Sequence, residues 1–228
     1  MKKLIYKEFM LSLHPLCYIF VFVFPLMCLI PNFPIFIGTL YIIPAFSILC
    51  LGANKGKQTN DLFYSALLPI RKQDIVKARM ISVMFMELAT LSMLAILYPL
   101  KRCIEKAMPA GEQALTSAGI VSSFAFAIIA YTIVNIIFFL MFYKKGRSIV
   151  APTLISTVVY VVIILLTTIL SAVDPKTGNA LVPGYYVAFI DIHIGYQFLY
   201  VVIALIIYFI SNFLVFKKAS QELMQADL

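Results

Sequence analysis

Tryptophan is missing from this chain, histidine occurs twice and cysteine four times, and only 12% of the residues carry a charge. Each shortage excludes something. Cys17, Cys28 and Cys50 lie inside apolar runs and Cys103 stands apart, so no CxxC metal motif and no disulfide framework is present, and the cysteines read as small apolar packing groups. His14 and His193 fall on opposite sides of the topology derived below and do not pair around a metal within one subunit. Against the scarcity of charge stands 63% hydrophobic content. A soluble domain of this size would expose apolar patches that it had no polar surface to cover. The apolar residues also come in blocks of about 20, the length needed to cross roughly 30 Å of hydrocarbon at 1.5 Å per residue.

Six such blocks predict an all-α integral membrane protein: about Pro15 to Ile30, Ile35 to Ala53 after the turn PNFP, Met80 to Leu100, Ala118 to Tyr143, Ile149 to Val173, and Ile194 to Phe216. Six spans of about 20 residues leave too little chain for a nucleotide-binding domain of ordinary size. The whole of 1–228 is therefore expected to be one transmembrane domain. With the termini in the cytoplasm, the inner segments hold 14 of the 18 Lys and Arg residues and the outer segments only Lys101, Arg102, Lys106 and Lys176. That asymmetry obeys the positive-inside rule. The net charge of +8 accordingly reads as topology and contact with anionic lipid, not as a nucleic-acid footprint.

The first apolar run is too long and Pro-interrupted for a secretory signal, and no A-x-A pattern follows it, so it is expected to be retained. Residues 1–14 read as an interfacial helix, with Leu4, Ile5, Met10 and Leu13 on the apolar side and Lys3, Lys7 and Glu8 toward water. Pro15 turns the chain into the first span. The stretch GANKGK, Gly52 to Lys57, is one residue short of a phosphate loop and continues with Gln58 where Ser or Thr would hold magnesium. An intramembrane protease needs paired acids or histidines within the bilayer, whereas only Glu87 lies deep in a span. An enzymatic reading is therefore weak, and no cofactor or metal is expected on this chain.

The one long water-compatible stretch is DLFYSALLPIRKQDIVKAR, Asp61 to Arg79, within a cytoplasmic loop of residues 54–79. Thr59 or Asn60 caps a helix whose positive N-terminus favours Asp61. Leu62, Phe63, Ala66 and Leu67 fall on one face, and Pro69 divides this piece from RKQDIVKAR, where Asp74 stands three residues before Lys77. An amphipathic helix outside the membrane needs lipid, its own protein or a partner to cover its apolar face.

This loop, together with the YKEF of the N-terminal segment, resembles the ABC-2 type permeases, in particular the compact six-span bacterial members. These carry an acid-aromatic-Ser-Leu-Pro-x-Arg/Lys-x-Asp-x-Val pattern at this place. Span number and spacing extend the resemblance over the whole chain, although the motif itself is confined to the loop. Among compact permeases the chain is similar to the membrane subunits of exporters of amphipathic peptide toxins such as the phenol-soluble modulins; lantibiotic self-protection and drug efflux are handled by related subunits.

The resemblance implies a type V exporter-like fold in the bacterial cell membrane and a coupling helix seated in a cleft of a separate ATPase subunit. Two such ATPases, holding ATP and magnesium, would drive a permease paired with a second copy, as homodimer or heterodimer. Leu62, Phe63 and Leu67 would fill the cleft, while Asp61, Arg71, Lys72, Asp74 and Arg79 would pair around its rim. The plain alternative is a solvated connection whose basic residues fix topology.

The fifth block carries a polar stripe: Thr153, Ser156, Thr157, Tyr160, Thr167, Thr168 and Ser171 stay within about 60° of one line on a helix. Two readings stand open, the lining of a path or seam between two copies and ordinary Ser/Thr packing within one copy. Glu87, about 10 Å from the inner end of the third span, is costly in lipid unless protonated or paired, with Arg79 or a neighbouring helix as candidate partner. A gating role and a structural hydrogen bond are both open for it, and Asn135 reads as a helix-to-helix hydrogen bond. Outside, Lys101 to Ser117 is expected to form a short loop broken by Pro109 and Gly111. By the same resemblance residues 174–194 read as an outer re-entrant-like segment with Asp191 and His193 near the outer mouth, where a gate and interfacial anchoring are both open and anchoring is favoured.

The resulting expectation is the permease subunit of an ATP-driven exporter of amphipathic peptides or other lipophilic cargo. Its rivals are an ion-coupled carrier or channel using Glu87 and a non-transporting membrane immunity protein.

Overall fold

A computed structural model describes residues 2–12, 15–29, 39, 71–107, 120–145, 150–170, 181–183 and 192–225. Six helices in chain order account for nearly all of these: α1 (Lys2–Lys7), which widens into a π-type turn over Glu8–Ser12, α2 (Pro15–Met27), α3 (Lys72–Lys106), α4 (Ile120–Lys145), α5 (Val150–Leu170) and α6 (Ile194–Gln225). Among the described residues, α3, α4, α5 and α6 are long and apolar enough to cross a membrane, and α2 holds a shorter apolar run. The second apolar block lies outside the described residues except for Thr39.

Composition explains the layers. The apolar side chains of α4 occur all round the helix, which suits a position with protein on every side. Over half of its apolar window is buried, 56%, against 22% for α6, which places α4 at the centre of the bundle. It packs most extensively on α6 and then on α5. Buried small residues, Ala125, Ala127 and Ala130 on α4 and Ala204 and Ala219 on α6, let helix backbones approach closely where hydrophobic exclusion supplies no drive. The outward faces are as apolar as the core: Leu154, Val158, Leu165 and Ile169 on α5, and Phe198, Val202, Ile206 and Phe213 on α6, are exposed. Such faces belong against acyl chains.

Helix α3 has 35 residues, about 52 Å at 1.5 Å per residue, and so outruns the roughly 30 Å hydrocarbon layer at both ends. It starts earlier and stops later than the block Met80 to Leu100, because the charged flanks RKQD and KRCIEK continue the helix into the polar boundary. Residues 101–106 are thus helical, and the loop expected from Lys101 onward begins later. The Lys101 side chain is buried, and its Nζ donates 2.8 Å to the carbonyl of Cys28 just past the end of α2. A cation there satisfies an orphan carbonyl and the negative end of the helix dipole. Pro15 is the first residue of α2, where its missing N–H costs nothing. His193 precedes α6 as its cap, with the Gly195 N–H donating to Nδ1 at 3.2 Å.

Candidate functional site

The N-terminal segment sets the first element of the site. Leu4 and Glu8, four residues apart, turn inward while Tyr6 and Met10 face out. This corrects the placement of Glu8 toward water. The cause is α3: Arg79 Nε lies 3.1 Å from Glu8 Oε2, with side-chain exposures of 13% and 2%. An acid with such a partner is stabilised inside, and a short helix covers protein in place of lipid. The Arg79 guanidinium also sits 5.9 Å from the centroid of the Phe142 ring on α4, near the upper limit of cation–π range. Phe9 meets Phe85 of α3 edge-on at 5.5 Å, and the Tyr18 hydroxyl of α2 donates to the Phe9 carbonyl. The start of the chain is therefore fastened to the first turns of α3.

Two turns further along α3, Glu87 is fully buried. Its Oε2 accepts from the Tyr208 hydroxyl of α6 at 2.5 Å and from Asn135 Nδ2 of α4 at 2.9 Å. The same Asn135 amide lies 3.3 Å from Asn212 Oδ1, and Asn212 Nδ2 donates to the Tyr208 carbonyl one turn back. One carboxyl oxygen thus ties three long helices at mid-depth through an amide and a phenol donor. Glu87 Oε1 and Asn135 Oδ1 are buried with no hydrogen-bond partner among the described residues. The partner comes from neighbouring helices and not from Arg79, which Glu8 occupies. Helix α3 runs antiparallel to α6, since Gln73 meets Met224 and Glu87 meets Tyr208.

A second link lies one turn away on α4. The Tyr131 and Tyr160 rings stack at 6.2 Å, and both hydroxyls donate to the Thr39 carbonyl, at 3.1 and 2.7 Å. Tyr160 shares a further bond with the Thr39 hydroxyl at 2.5 Å. Thr39 is thereby bonded to both α4 and α5.

Of the polar stripe on α5, Thr153, Ser156, Tyr160 and Thr167 are buried within the chain, and Thr157 is half-buried. Thr167 bonds back to the carbonyls of Ile163 and Ile164. The Thr168 side chain and Ser171 lie outside the described residues, as do Asp61, Leu62, Phe63 and Leu67. Arg71 is exposed ahead of α3, and Lys72 and Asp74 are half-buried in its first turn. Of 174–194, only residues 181–183 and 192–194 are described.

Sequence reading missed Tyr208 and Asn212 as the partners of Glu87. The available signal was two polar groups spaced i, i+4 in an otherwise apolar span, the spacing that puts both on one face. No comparable signal marks Glu8, whose inward turn depends on Arg79 some 70 positions later.

Long apolar helices, tied by buried polar groups and ending in basic flanks, make up a multi-pass helical membrane protein. The chain belongs to the ABC-2 family: residues 3–219 match the family described as ABC-2 family transporter protein. No curated protein and no solved structure gives a significant match.

Proposed function

We propose that the chain is the permease subunit of an ATP-binding cassette exporter that moves amphipathic peptides or other lipophilic cargo outward, driven by two ATPase subunits on separate chains. It pairs with a second permease copy, like or unlike itself, in the cell membrane with both termini in the cytoplasm. ATP and magnesium bind the partner ATPases. Export of peptide toxins of the phenol-soluble modulin kind is the cargo class that the loop motif favours.

The observation that carries this reading is the continuity of α3. It begins at Lys72, inside the last third of the 54–79 segment, and runs unbroken to Glu87 and beyond. A push on the loop is delivered along one rigid rod to the point where α4 and α6 are hydrogen-bonded. Through Arg79 and Glu8 the same push reaches the N-terminal helix. In this scheme Leu62, Phe63 and Leu67 seat the coupling helix in the ATPase cleft, and Asp61, Arg71, Lys72 and Asp74 set its register.

Phe63→Ala tests the assignment. We expect membrane insertion to persist while ATPase recruitment falls by about tenfold or more, as for a buried aromatic anchor. Unchanged ATPase association and unchanged transport in that variant would contradict it.

A further inference from the structure

A groove of about 320 Å³ lies between the first half of α3 and the middle of α6, at the small end of the roughly 300–1,000 Å³ of ligand pockets. Its two walls have the same spacing. Lys77, Met80, Ile81 and Met84 on α3, and Phe209, Asn212, Phe213 and Phe216 on α6, each follow the i, i+3, i+4, i+7 rule for one helix face. The groove is thus about 10 Å long, two turns of each helix. Thioethers and phenyl rings make most of it, a lining that adapts to a flexible apolar guest. Asn212 contributes the polar atoms of the floor, but both ends of its amide are bonded within the chain. The floor asks nothing polar of an occupant.

The ends of the groove differ. Lys77 stands exposed at one end, and the antiparallel register brings Lys217 and Lys218, both exposed, directly after Phe216 at the same depth. We propose that the α3–α6 groove is a binding site for an anionic diacyl phospholipid, with one acyl chain between Met84 and Phe213 and the phosphate held by Lys77 and Lys217. Neither half suffices alone. The apolar walls would accept any chain, and the lysines would attract any phosphate near the surface; their junction at one depth selects a molecule that carries both. Bound there, the lipid bridges the helix that receives the push and the helix that carries Tyr208.

The absence of tryptophan from the chain supplies the test. Full-length Phe213→Trp protein is reconstituted into phosphatidylcholine vesicles containing chain-brominated phosphatidylglycerol, and, in a mirrored sample, into phosphatidylglycerol containing brominated phosphatidylcholine. Ile203→Trp, exposed on α6 outside the groove, is the reference, and Phe209→Trp is a second groove reporter should the first fold poorly. Because basic residues near the membrane surface attract anionic headgroups, the groove reporter should show at least about threefold preference for quenching by the anionic lipid relative to the reference. Adding Lys77→Gln and Lys217→Gln should abolish that preference. Equal preference at both positions overturns the proposal, as does a preference that survives both lysine substitutions. A groove reporter quenched by neither lipid overturns it too, since protein would then cover the site.

Discussion

Removing Glu87 or its donors acts on three helices at once, because Tyr208 and Asn135 both donate to the one carboxyl and Asn135 also donates to Asn212. In the ATP-driven reading this group is a tie and not a carrier of ions. Glu87→Gln keeps its shape and its capacity to accept from Tyr208, so nucleotide-dependent flux should stay within about threefold of the parent. Loss of flux in that variant would favour the ion-coupled carrier. The Glu8–Arg79 pair makes a different prediction. Taking away one member of a buried pair leaves an uncompensated charge, so Arg79→Ala or Glu8→Ala should each cost about 3 kcal/mol, whereas Glu8→Leu with Arg79→Met should recover most of the loss. Thermal unfolding of the single and double variants in detergent checks this. Equal destabilisation in all three would mean that the ion pair does not hold α1 to α3.

At the scale of elements, α5 shows how much can be read from spacing. The stripe from Thr153 to Thr167 follows from helical periodicity alone, and its members turn inward as one face. What covers them requires knowledge of a neighbour, and Tyr160 meets Thr39 across 121 positions of sequence. Ser156 is fully buried, so Ser156→Leu should overpack the bundle and lower stability by about 1–3 kcal/mol. Unaltered stability in detergent, joined to a change in subunit association, would support a seam between copies instead. The helix ends of α3 were illegible for a related reason. Apolar composition marks where lipid is, while the hydrogen-bonded helix continues past that boundary wherever charged residues with good helix propensity permit. Glu8 reads as surface on its own helix and turns inward only because Arg79 arrives from α3. Local pattern thus yields the elements and their apolar faces; the pairing of rare polar groups comes from the tertiary arrangement.

For the whole molecule, the proposed export requires force arriving from another chain. The bundle offers an unbroken shaft in α3, a fastening at its loop end through Arg79 and Glu8, and a polar tie at its middle. In the proposed function the energy comes from the partner ATPases, so activity should depend on the partner and on hydrolysis. The direct measurement is flux of an amphipathic peptide across proteoliposomes holding the permease with its cognate ATPase subunit, with ATP and magnesium, beside proteoliposomes holding the permease alone. The account predicts transport in the first that stops when ATP is replaced by a non-hydrolysable analogue, and no transport in the second. Full-rate movement by the permease alone under an ion gradient, indifferent to nucleotide, would contradict it.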